Sequence, residues 1–186
     1  MEIRRATTAD LPRILEIYNA SILTTTTWSD RPQTLAERAA WFEERTNRAD
    51  GVLVADEGAD DEHGGGVEVV GFAAYGEFRD TSLWPGYRFT VESTVHVADG
   101  HQGRGVGRAL MAALVDHAAA RGLHVMVSAV DAENTASVDF HRSIGFVEVG
   151  RLPEIGRKFG RWLDLVLLQR SLPDGDDPDR DHLGRV

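Results

Sequence analysis

His101-Gln102-Gly103-Arg104-Gly105-Val106-Gly107-Arg108 is the stretch whose reading decides the fold. Before it, Phe89 to Val97 alternates Phe89, Val91, Ser93, Val95 and Val97 against Thr90, Glu92, Thr94 and His96, the period-two pattern of a strand. After it, Leu110, Leu114 and Ala118 recur at helical spacing from Val106 to Arg121. A strand that runs through a glycine-rich turn into a helix makes an anion cradle. Glycine lets the backbone approach a ligand closely, the first-turn N–H groups lack intrahelical partners, and the helix dipole favours phosphate oxygens there. Arg104 and Arg108 add charge. An ordinary strand-to-helix turn accounts for the same residues on local grounds. A P-loop is excluded, because it needs Gly-Lys followed by Ser or Thr and the only lysine is Lys158. A dinucleotide fingerprint fits poorly, since Arg108 occupies the third glycine position and too few strands remain for a second nucleotide-binding half.

Outward from this turn, Ile3 marks a short strand, and Leu11, Ile14, Leu15, Tyr18 and Ile22 form a helical stripe with Thr8 as its cap. Thr34 and Glu37 make a capping box for a second helix with Leu35, Ala39 and Phe42 on one face. Two strands follow, Val52 to Ala55 and Val67 to Phe78, joined by an acidic, glycine-rich segment, 57 to 66, whose composition predicts a mobile hairpin loop. Downstream come a strand from His124 to Val130, a helix after Asn134 stopped by Gly145, and two strands near Phe146 to Leu152 and Trp162 to Leu168. This order predicts one α/β domain over residues 1–172, α+β by segregation, with a central mixed, mostly antiparallel sheet flanked by helices. Residues 173–186 have almost nothing apolar to bury and read as a disordered acidic tail.

The 186 residues are 42% apolar and 27% charged, enough for one core and without a run long enough to span a membrane. With no cysteine, disulfide frameworks, thiolate metal sites and cysteine nucleophiles are excluded, and a cytoplasmic location is expected. The net charge of -10 is concentrated: residues 56–63 carry -5 and residues 173–186 carry -3, leaving -2 for the rest. The acidic balance therefore does not oppose a local anion site. No basic patch with interleaved aromatics appears, so nucleic acid is not an expected partner, nor is a membrane.

Gln102, Gly105 and Gly107 also fit the pattern Gln/Arg-x-x-Gly-x-Gly/Ala, and in this the chain resembles the GNAT superfamily of acetyl-CoA-dependent N-acetyltransferases. Asn134 and Phe140-His141-Arg142-Ser143-Ile144-Gly145-Phe146 are similar to that superfamily's later motif. Thr90-Val91-Glu92-Ser93-Thr94-Val95, Ala20-Ser21-Ile22 with the Thr24 to Trp28 run, and Lys158-Phe159-Gly160-Arg161-Trp162-Leu163-Asp164 resemble its phosphinothricin and methionine sulfoximine acetyltransferase branch. The resemblance implies acetyl-CoA as co-substrate, no metal, a small-molecule amine acceptor and a homodimer, with Trp162 and Leu163 in a final strand suited either to the interface or to the core.

An amine with a pKa of about 8 or above is mostly ammonium at neutral pH, so acetyl transfer to nitrogen requires a base. Glu92, on the polar face of the strand entering the turn, is the candidate, acting directly or through one water. His96 shares that face about 13 Å further on at about 3.3 Å per residue, too far to touch Glu92 without a bend. The resemblance implies that coenzyme A lies along the main chain of Val95, His96 and Val97, with its pyrophosphate on Gly103, Arg104, Gly105, Val106, Gly107 and Arg108 beside Gln102. It further implies contacts from Asn134, equally suited to a helix N-cap, and from Ser143. His141 stands where the superfamily often has a Tyr acid, a role that needs a suitably protonated imidazole. For the acceptor it implies Arg79, Asp80, Thr81, Arg88, Thr90, Ser93 and Thr94 around Glu92. The same fold also suits a non-catalytic acyl-CoA sensor, or an acetyltransferase for another small amine or a protein N-terminus.

Overall fold

A computed structural model of the chain describes residues 1–58 and 68–173. The acidic hairpin loop from residue 59 to 66, and the expected tail from 174 onward, lie outside the described residues. The elements in order are β1 (Glu2–Arg5), α1 (Leu11–Ser21), α2 (Leu35–Asn47), β2 (Val52–Glu57), β3 (Glu68–Glu77), β4 (Thr90–Val97), α3 (Val106–Ala120), β5 (Val125–Asp131), α4 (Thr135–Ser143), β6 (Val147–Lys158) and β7 (Arg161–Ser171). The strands form one sheet in the order β1-β2-β3-β4-β5-β7-β6. Every pairing is antiparallel except β4 with β5, which α3 connects as a crossover. The expected mixed, mostly antiparallel sheet with flanking helices is the one observed. No helix among the described residues is long and apolar enough to cross a membrane.

Alternation along the strands gives the sheet two apolar faces, each with its own core. On one, Leu53, Ala73, Tyr75, Val91, Met126 and Val166 pack against Leu110, Leu114 and Ala118 of α3. On the other, Val54, Val69 and Phe72 meet Leu11, Ile14 and Ile17 of α1, with Trp41 and Phe42 of α2 alongside. Arg4 of β1 forks to both carboxylate oxygens of Asp10 at 2.8 Å and also reaches Asp56 of β2, tying the chain's start to the sheet. That guanidinium holds the buried Asp10 carboxyl down at about 2.

Two helix expectations are corrected. The first helical segment is capped by Thr7 rather than Thr8: a short 3-10 turn, Thr8–Asp10, precedes α1, and Thr7 donates its N–H to the Asp10 carboxylate at 2.7 Å. In α2 the capping box is present, with Glu37 N donating to Thr34 Oγ1 at 3.2 Å and Thr34 N donating to Glu37 Oε2 at 2.8 Å. However, Leu35 is exposed, and the fully buried side chain of that helix is Arg38. Its guanidinium is stacked 4.0 Å from the Tyr18 ring centroid and 4.5 Å from that of Trp41, and of the expected face Ala39 and Phe42 pack against the core while Leu35 does not. In β7, Leu163 belongs to the core and Trp162 is exposed.

Candidate active site

The parallel ladder between β4 and β5 holds for three residue pairs, Thr90 with Val125, Val91 with Met126 and Glu92 with Val127, and then stops. Both strands continue, to Val97 and Asp131, so they splay apart beyond Glu92 and leave β4 main-chain groups without a sheet partner on that side. Ser93 and Ser128 clip the strands together where they part, Oγ to Oγ at 2.7 Å. A small cavity of about 60 Å³ fills the fork, walled by Thr94, Val95 and His96 on one strand, Ser128 and Asp131 on the other, and Asn134, Ser137 and His141 from α4.

At the far end of β4 the glycine turn closes onto α3. Gly103 and Gly105 have φ of 74° and 89°, the left-handed region that glycine enters without a Cβ penalty. Gly105 is the N-cap of α3 and carries no capping side chain, so the first-turn N–H groups stay free for an anion, flanked by Arg104 and Arg108. Gln102 reaches back, its Nε2 donating to the Val97 carbonyl at 3.4 Å, and closes the turn on the strand it leaves. The cradle and the fork thus form one track along β4, fitted to a phosphate group at one end and an extended chain at the other.

Glu92 faces the opposite side of β4 from Ser93, into a cavity of about 360 Å³ that it lines with Thr94, His96, Tyr18, Thr26, Thr27, Trp28, Ala129 and Leu165. Desolvation by the surrounding atoms pushes its carboxyl pKa up, and the positive charge of Arg79 offsets part of the shift. The segment 24–28 that roofs this cavity is held from β6. Lys158, buried and pushed down in pKa by that burial, donates Nζ to the Thr24 carbonyl at 2.6 Å and to the Thr27 carbonyl at 2.5 Å. The Trp28 ring lies against Gly156, where any Cβ would overlap it.

His96 departs from the solvent-facing position expected of the strand's polar face. It is buried, stacked on Phe72 with centroids 5.0 Å apart and edge-on to Tyr18 at 5.5 Å. Burial, with the nearby Arg38 charge adding to it, lowers its pKa to about 4. Both ring nitrogens are engaged, Nδ1 with Ser21 Oγ at 2.9 Å and Nε2 with Thr94 Oγ1 at 3.0 Å. It is therefore unsuited to act as a base at neutral pH.

The α4 residues fall at the fork. Asn134 is the N-cap, its Oδ1 accepting from Ser137 N at 3.1 Å, which leaves the amide NH2 as a donor. His141 is buried, which lowers its pKa, and Nδ1 lies 2.8 Å from the Ser137 carbonyl. A carbonyl only accepts, so the neutral ring keeps its hydrogen at Nδ1 and offers a bare Nε2. In that neutral form Nε2 has no hydrogen to give, so an acid role for His141 needs the doubly protonated ring, which burial disfavours. Ser143 Oγ donates to the Phe140 carbonyl at 2.7 Å and accepts from Arg108 Nη2 at 3.0 Å, linking the glycine turn to α4.

The expected acceptor residues divide. Thr90, Glu92 and Thr94 alternate onto one face of β4, with Arg79 close enough to act on Glu92. Ser93 faces the other side. Asp80 is bound up in its own turn, accepting from Ser82 N at 2.9 Å, and Thr81 donates to Glu77. Arg88 donates to the Pro85 carbonyl at 3.2 Å and stacks on Phe89 at 4.4 Å. Sequence reasoning named no role for Tyr18, Thr26, Thr27, Ser128 or Ser137, which line the two cavities. The run of four threonines, Thr24 to Thr27, was the signal available for the roof.

Comparison with known proteins agrees with this layout. Residues 11–146 match the acetyltransferase (GNAT) family. The L-methionine sulfoximine/L-methionine sulfone acetyltransferase of Pseudomonas aeruginosa is 45% identical over 179 residues, covering 96% of each chain. The L-amino acid N-acyltransferase MnaT of Escherichia coli is 43% identical over 180 residues, covering 96% of this chain and 98% of that one. A phosphinothricin acetyltransferase of Sinorhizobium meliloti, solved in complex with acetyl-CoA, superposes with a TM-score of 0.81 at 34% identity, covering 94% of this chain and 90% of that one.

The buried imidazoles of His96 and His141 and the half-buried one of His117 make stability depend on pH. His96, His117 and His141 all have native pKa values below the ordinary 6.5, so the unfolded chain binds more protons on them as pH falls. Their contribution is complete above 6.5 and is lost on acidification; for His96, lowered to about 4, it amounts to about 3 kcal/mol. Glu92 and Asp50, both raised, act in the opposite sense. Urea unfolding of the wild type and of His96→Phe between pH 7 and 4.5 isolates the term: the wild type is expected to lose stability more steeply. Parallel slopes would show that His96 takes its proton in the folded state at no cost.

Proposed function

The chain belongs to the acetyltransferase (GNAT) family, and from that premise we propose that it moves the acetyl group of acetyl-CoA onto the amino group of a small amino-acid acceptor of the methionine sulfoximine or phosphinothricin type. The observation that carries this reading is the meeting of two openings at one residue. Glu92 stands where β4 leaves β5, with the fork and its glycine cradle on one hand and the cavity roofed by residues 26–28 on the other. The single domain over residues 1–172 carries the activity, and its cytoplasmic location belongs to the same reading.

Acetyl-CoA fits the track along β4. Gly103 to Arg108 hold its pyrophosphate through free N–H groups and arginine charge, with Gln102 shaping the turn. The main-chain groups of Val95 and Val97, which point away from β3, and the Asn134 amide take the extended arm, while the main chain of His96 between them is turned to its β3 partner Phe72, Gln102 holds the Val97 carbonyl and Arg108 reaches Ser143 beside it. The co-substrate supplies an acyl group already activated as a thioester. The chain's task is to deliver a neutral amine to it.

Glu92 takes the proton from the acceptor's ammonium group, directly or through one water. Its raised pKa brings the carboxylate's basicity closer to that of the amine, which makes the transfer less uphill. Carbon–nitrogen bond formation and carbon–sulfur cleavage then release coenzyme A as a thiolate that takes up a proton. The bare Nε2 of His141 orients as an acceptor at the fork and is not the source of that proton. Arg79 offers the acceptor's carboxylate a cation beside Glu92.

A homodimer is part of the proposal. Val147, Val149, Leu152 and Ile155 of the edge strand β6, with Phe159 at the hairpin tip and Trp162 of β7, leave an apolar surface exposed on a strand edge. Light scattering is expected to give twice the chain mass at micromolar concentration, and a monomer throughout would remove this part.

Replacing Gly105 by Val forces a Cβ into the left-handed region and turns the first N–H groups from their cradle. Acetyl-CoA affinity by calorimetry is expected to fall at least about tenfold with the far-ultraviolet spectrum retained. An unchanged affinity would place the phosphates elsewhere. For the chemistry, Glu92→Gln keeps size and removes basicity. Acceptor kcat/KM should fall by about 100-fold to 10,000-fold, equivalent to about 3 to 5 kcal/mol, with acetyl-CoA binding intact. The wild-type rate should also rise with pH through the raised Glu92 pKa, a limb the variant lacks. Near-normal turnover of Glu92→Gln, with chemistry rate-limiting, would exclude Glu92 as the base.

A further inference from the structure

His96 has no part in the transfer chemistry, yet it occupies a buried place between α1 and the cavity that Glu92 lines. Its contacts set the direction of every hydrogen in a three-residue chain. The Ile17 carbonyl can only accept, and Ser21 Oγ lies 3.2 Å from it, a helical back-bond that uses the one hydroxyl hydrogen of Ser21. With the Ser21 hydrogen on that carbonyl, the Ser21 oxygen accepts from His96 and Nδ1, 2.9 Å away, carries the ring hydrogen; the opposite order would put the Ser21 hydrogen on Nδ1. A neutral imidazole with its hydrogen on Nδ1 has a bare Nε2. Thr94 Oγ1, 3.0 Å from that nitrogen, must therefore donate to it.

With its hydrogen committed to the ring, the Thr94 hydroxyl has only lone pairs left to present, and Thr94 lines the cavity together with Glu92. We propose that His96 is a positioning residue for the acceptor amine: it locks Thr94 as a hydrogen-bond acceptor, so that an N–H of the incoming ammonium or amine is held by Thr94 while Glu92 takes another. The proposal rests on the acetyl-transfer reading and adds the reason the nitrogen is held with its lone pair directed at the thioester. Once the ammonium has given up the proton on its third direction, to Glu92 through water, the two acceptors on one face of one strand hold the two N–H groups of the neutral amine, and its lone pair occupies the third direction for the attack.

The ring is built to stay neutral and still while doing this. Phe72 stacks on it from β3, Tyr18 meets its edge from α1, and the Arg38 guanidinium of α2 opposes protonation. A protonated imidazole would donate at Nε2, turn the Thr94 hydroxyl around and present a hydrogen to an ammonium group. The buried arginine without an aliphatic counterpart in α2 thus has a role in the hydrogen order of the site.

The direct test is the tautomer. Nitrogen-15 spectra of the wild type at pH 7 are expected to show the His96 hydrogen on Nδ1 and none on Nε2, and the opposite tautomer overturns the proposal. Kinetics supply the second test on Thr94→Val, His96→Phe, their double variant and Ser21→Ala, with methionine sulfone as acceptor. Thr94→Val and His96→Phe should each raise the acceptor KM about tenfold and combine to no more than Thr94→Val alone. Ser21→Ala, at the end of α1, should raise the acceptor KM by a smaller factor by freeing the ring hydrogen. Multiplicative effects, or a wild-type KM in His96→Phe and Ser21→Ala, would overturn it. If the wild type transfers acetyl to the acceptor while these tests fail, this proposal alone is lost. If the wild type acetylates no amino acid, the acetyl-transfer reading is lost with it.

Discussion

The early end of one parallel ladder organises the whole site. Three residue pairs hold β4 to β5, and beyond Glu92 and Val127 the strands diverge, so the main-chain groups that face each other across the fork have no sheet partner. Buried backbone groups without partners are costly, so an unzipped interior pair is stable only where something else satisfies it. An extended, amide-containing ligand meets that demand, and the glycine turn supplies the anion site one strand length away. The Ser93–Ser128 contact bounds the fork at its base, and α4 closes it with Asn134, Ser137 and His141. The fork, the placement of Glu92 at its base and the cavity that Glu92 lines are consequences of where one set of hydrogen bonds stops.

Within this frame the electrostatics are arranged by burial more than by ion pairing. Desolvation raises Glu92 and lowers His96, His117 and His141, so at neutral pH the imidazoles are uncharged and their hydrogens are ordered by their partners. His96 has Ser21 of the adjoining α1 at Nδ1, and His141 has the Ser137 carbonyl of its own helix at Nδ1. Ion pairs with a clear structural task lie away from the site, as in the Arg4 fork to Asp10 and Asp56. The cations nearest the cavity, Arg38, Arg79 and Lys158, are held by aromatic faces or carbonyls. Lys158 shows the purpose: its charge is used on the roof of the acceptor cavity, so the distant β6–β7 hairpin decides the shape of a loop that follows α1.

Much of this was legible in the residues alone, and the reason is local. The strand, glycine turn and helix from Phe89 to Ala120 are read from period and from glycines that must adopt positive φ, and neither depends on distant contacts. The capping box at Thr34, the stop at Gly145 and the N-cap at Asn134 are of the same kind. So was the placement of Glu92 on one face of its strand, because alternation fixes faces. What tertiary structure alone decided is which face is buried, by what, and which hydrogens go where. Polar residues on β4 read as solvated until α1 and Phe72 cover His96; Leu35 reads as core until Arg38 fills the aromatic cage; His141 reads as an acid until the Ser137 carbonyl claims its hydrogen. Asp80, Thr81 and Arg88 carry suitable chemistry for an acceptor site, and each also makes a hydrogen bond close by in the chain. Period and composition report a residue's neighbours along the chain, whereas burial, protonation and hydrogen-bond direction are properties of neighbours across it.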